Sequence, residues 1–273
     1  MARVTKKRAR ELRHDRFRDT TMHAADRVAH GVAGRERTIL YAVLGVVAAV
    51  ALVGLYSWWS GRRSAEASAA LGQAIEVAQA PVVTGTPLPN QTGPTFPSER
   101  ERAQRAVEEF QRVAERYGDP HRELARFFRA ANLVVVDRAK GVEELQALTR
   151  SGNADVAARS KFALAQAREA DGQLDDAAKL YNELLGQKGA SVAPDSVRLQ
   201  LASVFERQGK RDEAAELLFN VVKTSREAKA KDPKAATPTS SAVREAERRL
   251  QKLSPERYDK LPPEPTSPAE DIH

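Results

Sequence analysis

Acid–base or metal chemistry in this chain would fall first to its five histidines, His14, His23, His30, His121 and His273. The first three are spaced nine and seven residues apart, and no His-Glu-x-x-His is present, so no metal-ligand pattern emerges. His121 stands alone at a predicted helix start, the ordinary place of a surface side chain. The carboxylate pairs Asp175-Asp176 and Glu108-Glu109 fit helix caps and solvated faces. Gly31-Val32-Ala33-Gly34 lacks the Gly-Lys-Ser/Thr ending of a phosphate loop. With no cysteine among 273 residues, a disulfide framework, a thiolate metal site and a lipid-modified cysteine are excluded. No catalytic, metal or cofactor site is expected, and the chain reads as a binding protein. An enzyme would require clustered titratable groups that this pattern does not present.

Recognition is the chemistry left. Lys161, Arg168, Arg198 and Phe205 are the candidate partner-binding residues. A clamp for a peptide carboxylate would pair lysine with asparagine on the first helices of a repeat. Arg159, Lys161 and Arg198 have no matching asparagines, so that device is not supported.

Two segments must position these side chains. LAQAREADGQLDDAAKL begins at Leu164 and LASVFERQGKRDEAAEL at Leu201, 37 residues later. They share Leu, Ala, Glu, Gly, Asp, Ala-Ala and Leu at the same offsets, and self-similarity at this period means stacked supersecondary units. In each copy a helix is predicted to end at Gly172 or Gly209, where glycine can take the left-handed conformation. The next is predicted to start at Asp175 or Asp212, an acceptor for the exposed amides. Its apolar face follows as Ala177, Leu180, Tyr181 and Leu184, or Ala214, Leu217, Leu218 and Val221.

This is the spacing of a degenerate tetratricopeptide repeat. Leu164-Ala165 and Leu201-Ala202 fill the Leu-Gly slot, and Phe205 fills the aromatic slot that Arg168 leaves. Ala177-x-x-x-Tyr181 matches the second half, whereas Ala214-x-x-x-Leu218 loses the aromatic. Lys161 and Arg198 stand where the opening Trp belongs, and the closing Pro is missing. Upstream, residues 106–120 read as the second helix of a unit, with Ala106-x-x-x-Phe110. Residues 121–148 read as a worn hairpin around Gly141. The predicted repeat domain covers 99–231; a single hairpin cannot bury its apolar face, and the chain offers about the three units that a stable stack needs. A linker at 232–241, short helices at 242–261 and a disordered tail at 262–273 complete that end.

A span of 24 uncharged residues, Thr38 to Gly61, precedes all of this. At roughly 1.5 Å per residue, Ile39 to Trp59 covers the ~30 Å hydrocarbon core. Trp58 and Trp59 stand at the level of an interfacial aromatic belt. Signal-peptide apolar regions are shorter, and 37 residues is long for a signal leader. The expectation is a transmembrane helix at 38–61, prolonged by 62–80 and followed by a proline-rich irregular loop at 81–98. That loop carries the sequon-like Asn90-Gln91-Thr92. Residues 1–37 carry 11 Lys/Arg against 5 Asp/Glu, a net of +6, whereas 62–273 carry 33 against 32. The basic tail therefore stays cytoplasmic, and the larger part lies on the far side. The tail holds one aromatic, Phe17, so it offers no stacking platform for nucleic-acid bases. Contact with anionic lipid is its natural by-product.

A basic tail, one membrane helix, the aromatic exit Tyr56–Arg63, the helix RRSAEASAALGQAIEVA and the two LA…G…DxAA units resemble, in that order, the bacterial YfgM-type family. Those proteins are ancillary subunits of the Sec translocon. The resemblance implies a bacterial inner-membrane location with the repeats in the periplasm. It implies as partners the translocation channel, a membrane-anchored periplasmic chaperone and newly exported chains. The other reading of the same elements is an envelope scaffold that coordinates cell-wall synthesis or division. The fold class expected under both is all-α: a single transmembrane helix followed by an α-solenoid of tetratricopeptide-like hairpins.

Overall fold

The computed structural model describes residues 36–83, 93–187, 189, 191–231 and 240–264. The basic tail up to residue 35, the middle of the proline-rich loop with Asn90-Gln91-Thr92, most of the 232–241 linker and the tail from 265 lie outside the described residues. The chain divides into two units, residues 1–66 and 67–273.

In the first unit the apolar run is helical, part of a continuous helix α1 (Glu36–Gln79). Between Tyr41 and Trp59 every large apolar side chain described is 53–70 % exposed, on all sides of the helix. Among the described residues this is the one helix long and apolar enough to cross a membrane, a geometry compatible with a single-pass anchor. Arg62 and Arg63 follow at its end. The Arg63 guanidinium lies 5.3 Å from the Trp59 ring centroid, and Arg62 pairs with Glu66 one turn on at 3.6 Å.

The second unit is built of helices, with a lone bridge between Val82 and Phe96 as its only extended pairing among the described residues. Alanine replaces the bulky residues of α1 here, and the spacing Ala67, Leu71, Ala74 buries one face. That face shares a core with Ala106, Phe110, Val113 and Tyr117 of the next segment and Ala125 beyond it. Ala80 and Pro81 end the helix. Val83 N–H donates to Phe96 at 2.9 Å and Phe96 N–H to Pro81 at 3.1 Å, so the proline-rich stretch is closed at its base. This lone bridge forms within a segment read from sequence as irregular, because the backbone groups flanking Pro81 remain free to pair.

Helix α2 (Glu99–Arg116) starts on Ser98, whose hydroxyl accepts from Glu101 N–H at 3.2 Å. Helix α3 (His121–Val136) stacks Phe128 on Phe110 with centroids 5.2 Å apart. Helix α4 (Arg138–Leu148) follows after one residue, Asp137. The hairpin therefore turns at Asp137 and not at Gly141. Asp137 caps α4 by accepting from Lys140 N–H at 3.2 Å. That backbone donor, more than the Lys140 side chain, holds its carboxyl below the usual carboxylate range. Gly141 is buried inside α4, where a Cβ would sit 2.4 Å from the Val134 nitrogen. Its glycine character serves close helix contact, and the chain has no need of it for reversal.

Helices α5 (Ala154–Ala170), α6 (Leu174–Leu185), α7 (Pro194–Arg207) and α8 (Arg211–Lys231) form the two similar hairpins. Each helix packs on the next along the chain, and α3 also meets α5. Gly172 and Gly209 have φ of +76° and +78°, the left-handed turn that L side chains resist. The second helices begin before the predicted aspartates. Gln173 occupies the cap of α6 without a side-chain bond, and Asp175 falls in the first turn, as Asp212 does in α8. The positive φ shortens each turn, so the helix resumes sooner than a capping aspartate would require. Helix α9 (Ser241–Leu253), capped by Ser240, buries Val243, Ala246 and Leu250 against α8, and the short α10 (Pro255–Tyr258) adds Tyr258. The fold of this unit is an all-α stack of helical hairpins.

Candidate functional site

The residues that define the repeat are its inner surface. Leu164, Ala165, Ala177 and Tyr181 are buried in the first copy, and Leu201, Ala202, Ala214 and Leu218 in the second. Alanine at 165, 177, 202 and 214 permits the close helix approach that a larger side chain would block. The cores form between successive units, each copy packing on the next element of the stack. One surrounds Tyr181 and Leu201, and the other surrounds Leu218, Val221 and Leu250.

The four candidate recognition residues occupy two pairs of equivalent positions, Lys161 and Arg198, Arg168 and Phe205. Lys161 is largely buried and places its ammonium 3.0 Å from Glu183 of α6. Arg168 donates to the Gln173 amide oxygen at 2.6 Å. Arg198 pairs with Asp195 of its own first turn at 2.9 Å. The half-buried Phe205 ring packs against both of these cores, with the Lys210 ammonium 5.5 Å from its centroid. Each is thus engaged locally, and the structure does not assemble the four into one anion receptor. Lys161 ties a first helix to a second, and Phe205 fills a seam.

The shared glutamate of the repeat has a role that local reading missed. Glu169 of α5 faces Arg207 of α7, 3.5 Å between charged atoms, and Arg207 also donates to the Glu169 carbonyl at 2.8 Å. At the same offset in the next copy, Glu206 of α7 accepts from Arg249 of α9 at 2.6 Å. Earlier in the stack, Arg138 of α4 donates to Asp171 at 2.6 Å and to the Ala167 carbonyl at 2.7 Å. Arginine suits these ties because one planar fork serves a carboxylate and a helix-terminal carbonyl together. The shared Glu was a visible signal. Its partners were not, because the arginines stand at different offsets.

Tyr181 also reaches this junction, its hydroxyl 3.4 Å from Glu169. Burial, and then the Glu169 charge, push its phenol far above the ordinary tyrosine range. Ser160, fully buried, has a hydroxyl without a hydrogen-bond partner. His121 meets the Ser68 hydroxyl at 2.9 Å, an isolated contact, whereas His14, His23, His30 and His273 lie outside the described residues. Among the described residues no group of three or more metal-ligating side chains converges.

No protein-family model and no curated protein sequence matches this chain. Among solved structures, the nearly identical TPR-like repeats of a Podosopora anserina kinesin light chain-like protein are similar at a TM-score of 0.42 and 22 % identity, covering 56 % of this chain and 78 % of that one. A single-substitution variant of that protein gives the same TM-score and identity over 77 % of its length. The stacked-hairpin arrangement described above rests on this chain's own contacts.

Proposed function

We propose that this chain is a membrane-anchored periplasmic repeat protein that binds protein partners and assists Sec-dependent export. In this reading it hands emerging chains to periplasmic folding factors. The observation that carries the anchor is the uncovered apolar surface from Tyr41 to Trp59. Monomeric soluble proteins rarely leave so large a contiguous apolar patch in water, and each Å² removed from water is favourable by about 25 cal/mol. The hydrocarbon core of a bilayer supplies that cover. The +6 tail ahead of the span favours a cytoplasmic amino end.

The stacked hairpins support the binding role, since such stacks offer extended surfaces to segments of other proteins. The translocon itself is suggested by the order of elements shared with the YfgM-type family. Affinity purification of the full chain in mild detergent tests the reading. Co-recovery of Sec channel subunits with a periplasmic chaperone is the expected result, and recovery of cell-wall synthases in their place supports the envelope-scaffold reading. Protease added to intact spheroplasts should digest the repeats; protection until lysis reverses the topology.

A further inference from the structure

The positive side chains at the far end of the span have no role in the reading above and run against it. An arginine pair directly after the apolar helix weakens the charge asymmetry that orients it. We infer that Arg63, assisted by Arg62 and the tryptophans beside them, holds the phosphate of an anionic phospholipid in the leaflet at the carboxyl end of the span. This rests on the membrane-spanning reading and adds a ligand to it.

The geometry is local to one helix face. At 3.6 residues per turn, Tyr56, Trp59, Arg62, Arg63 and Glu66 fall on one stripe. Arg63 lies about 6 Å along the axis beyond Trp59, which sets the guanidinium at headgroup depth when the indole sits in the interfacial belt. The guanidinium carbon lies 5.3 Å from the Trp59 ring centroid, a cation–π contact that fixes the charge beside the indole without a carboxylate or carbonyl acceptor. Its five N–H donors lie in the guanidinium plane of an exposed side chain, and no carboxylate or carbonyl among the described residues accepts from them. A planar fork of donors matches a phosphodiester in two parallel bonds. Arg62 is half-satisfied by Glu66 across 3.6 Å, both side chains more than half exposed, a pairing worth little in water. With Glu66 counted, the collar keeps a net charge of +1, which complements an anionic headgroup and not a zwitterionic one.

The chain's two tryptophans are Trp58 and Trp59, so its indole fluorescence reports from this collar alone. Full-length protein is reconstituted in phosphatidylcholine vesicles containing a fixed small fraction of either dibrominated phosphatidylglycerol or dibrominated phosphatidylcholine. The expected result is stronger quenching by the anionic lipid, equivalent to about fivefold local enrichment, the fold-change that corresponds to about 1 kcal/mol for one basic side chain near the surface. Arg63→Gln should bring the two lipids to parity, and Glu66→Gln should increase the preference by releasing Arg62. Equal quenching of the unmodified chain by both lipids, or an Arg63→Gln variant that keeps the preference, overturns the inference while leaving the span intact. Quenching by neither lipid overturns the span itself and the inference with it.

Discussion

The α3–α4 hairpin and the hairpins α5–α6 and α7–α8 each depend on a glycine, for different physical reasons. Gly172 and Gly209 supply positive φ at the chain reversal, and nothing lies within 4 Å of where their Cβ atoms would be. Gly141 has an ordinary helical backbone and no room: a Cβ there meets Val134 nitrogen at 2.4 Å and Val134 Cα at 2.7 Å. One use is conformational and local, the other is steric and tertiary. A single aspartate, Asp137, reverses the first hairpin, so its glycine was free to serve contact.

The contrast is sharpest under alanine substitution. Gly141→Ala must push α4 from the α3 backbone, which cannot yield as a flexible side chain does. Overpacking of this kind costs about 1–3 kcal/mol, and here it outweighs the ~1 kcal/mol of helix propensity that alanine returns. The expected outcome is a net loss of about 1–2 kcal/mol, toward the upper end because the neighbour is backbone, read as a lower melting temperature by circular dichroism of the full chain in detergent. A neutral or stabilising Gly141→Ala would mean that the two helices do not approach closely. Gly172→Ala and Gly209→Ala should each lose about 1 kcal/mol, because a non-glycine residue strains in the left-handed region without meeting any neighbour. Asparagine at either turn should recover part of that loss, whereas at 141 it should be worse than alanine. That crossover separates the two uses of glycine within one experiment.

These differences explain what could be read in advance. The 37-residue period, the turn glycines and the buried Ala-x-x-x-Tyr and Ala-x-x-x-Leu pairs are properties of one hairpin, so local pattern displays them. Gly141 was misread because glycine near the middle of a worn repeat suggests a turn, and the contact that requires it comes from Val134, seven residues back across the reversal. Lys161 stands in the opening-Trp slot of the repeat and Phe205 in its aromatic slot, and sequence alone did not show what either side chain touches. The structure places Lys161 against Glu183 on the other helix of its own hairpin, and Phe205 between two cores, a position that a single hairpin does not reveal. The Glu169–Arg207 and Glu206–Arg249 ties repeat in space with unequal sequence separations. Only stacking brings them into register.

The two similar copies differ from each other at position 181, where Tyr181 answers Leu218. A raised phenol pKa means that the folded state resists ionisation. Its contribution is fully present below the ordinary tyrosine value of 10.0 and is lost as pH rises above it toward the higher folded value. Stability should therefore fall on the alkaline side by about 1 kcal/mol over the first pH unit above 10 through this group. Tyr181→Phe should remove that component, and Leu218 needs no counterpart. Near pH 7 the same substitution should cost little, since the Glu169 bond is long at 3.4 Å. If the stability difference between wild type and Tyr181→Phe were the same at pH 7 and pH 11, the phenol would not be the buried, Glu169-facing group described.

The smallest effect carries the opposite sign. Ser160 and Val197 stand 37 residues apart at equivalent positions, both buried. Valine meets that environment with carbon, and serine brings a hydroxyl that finds no acceptor. A buried polar group without a partner costs about 1–3 kcal/mol, and removing only the oxygen leaves a void smaller than a methyl group. Ser160→Ala should therefore stabilise the first copy, by somewhat under about 1 kcal/mol once the lost packing is subtracted. A fall in melting temperature for Ser160→Ala would instead assign the hydroxyl a buried partner, and the first copy would then contain a polar contact that the second has replaced with packing.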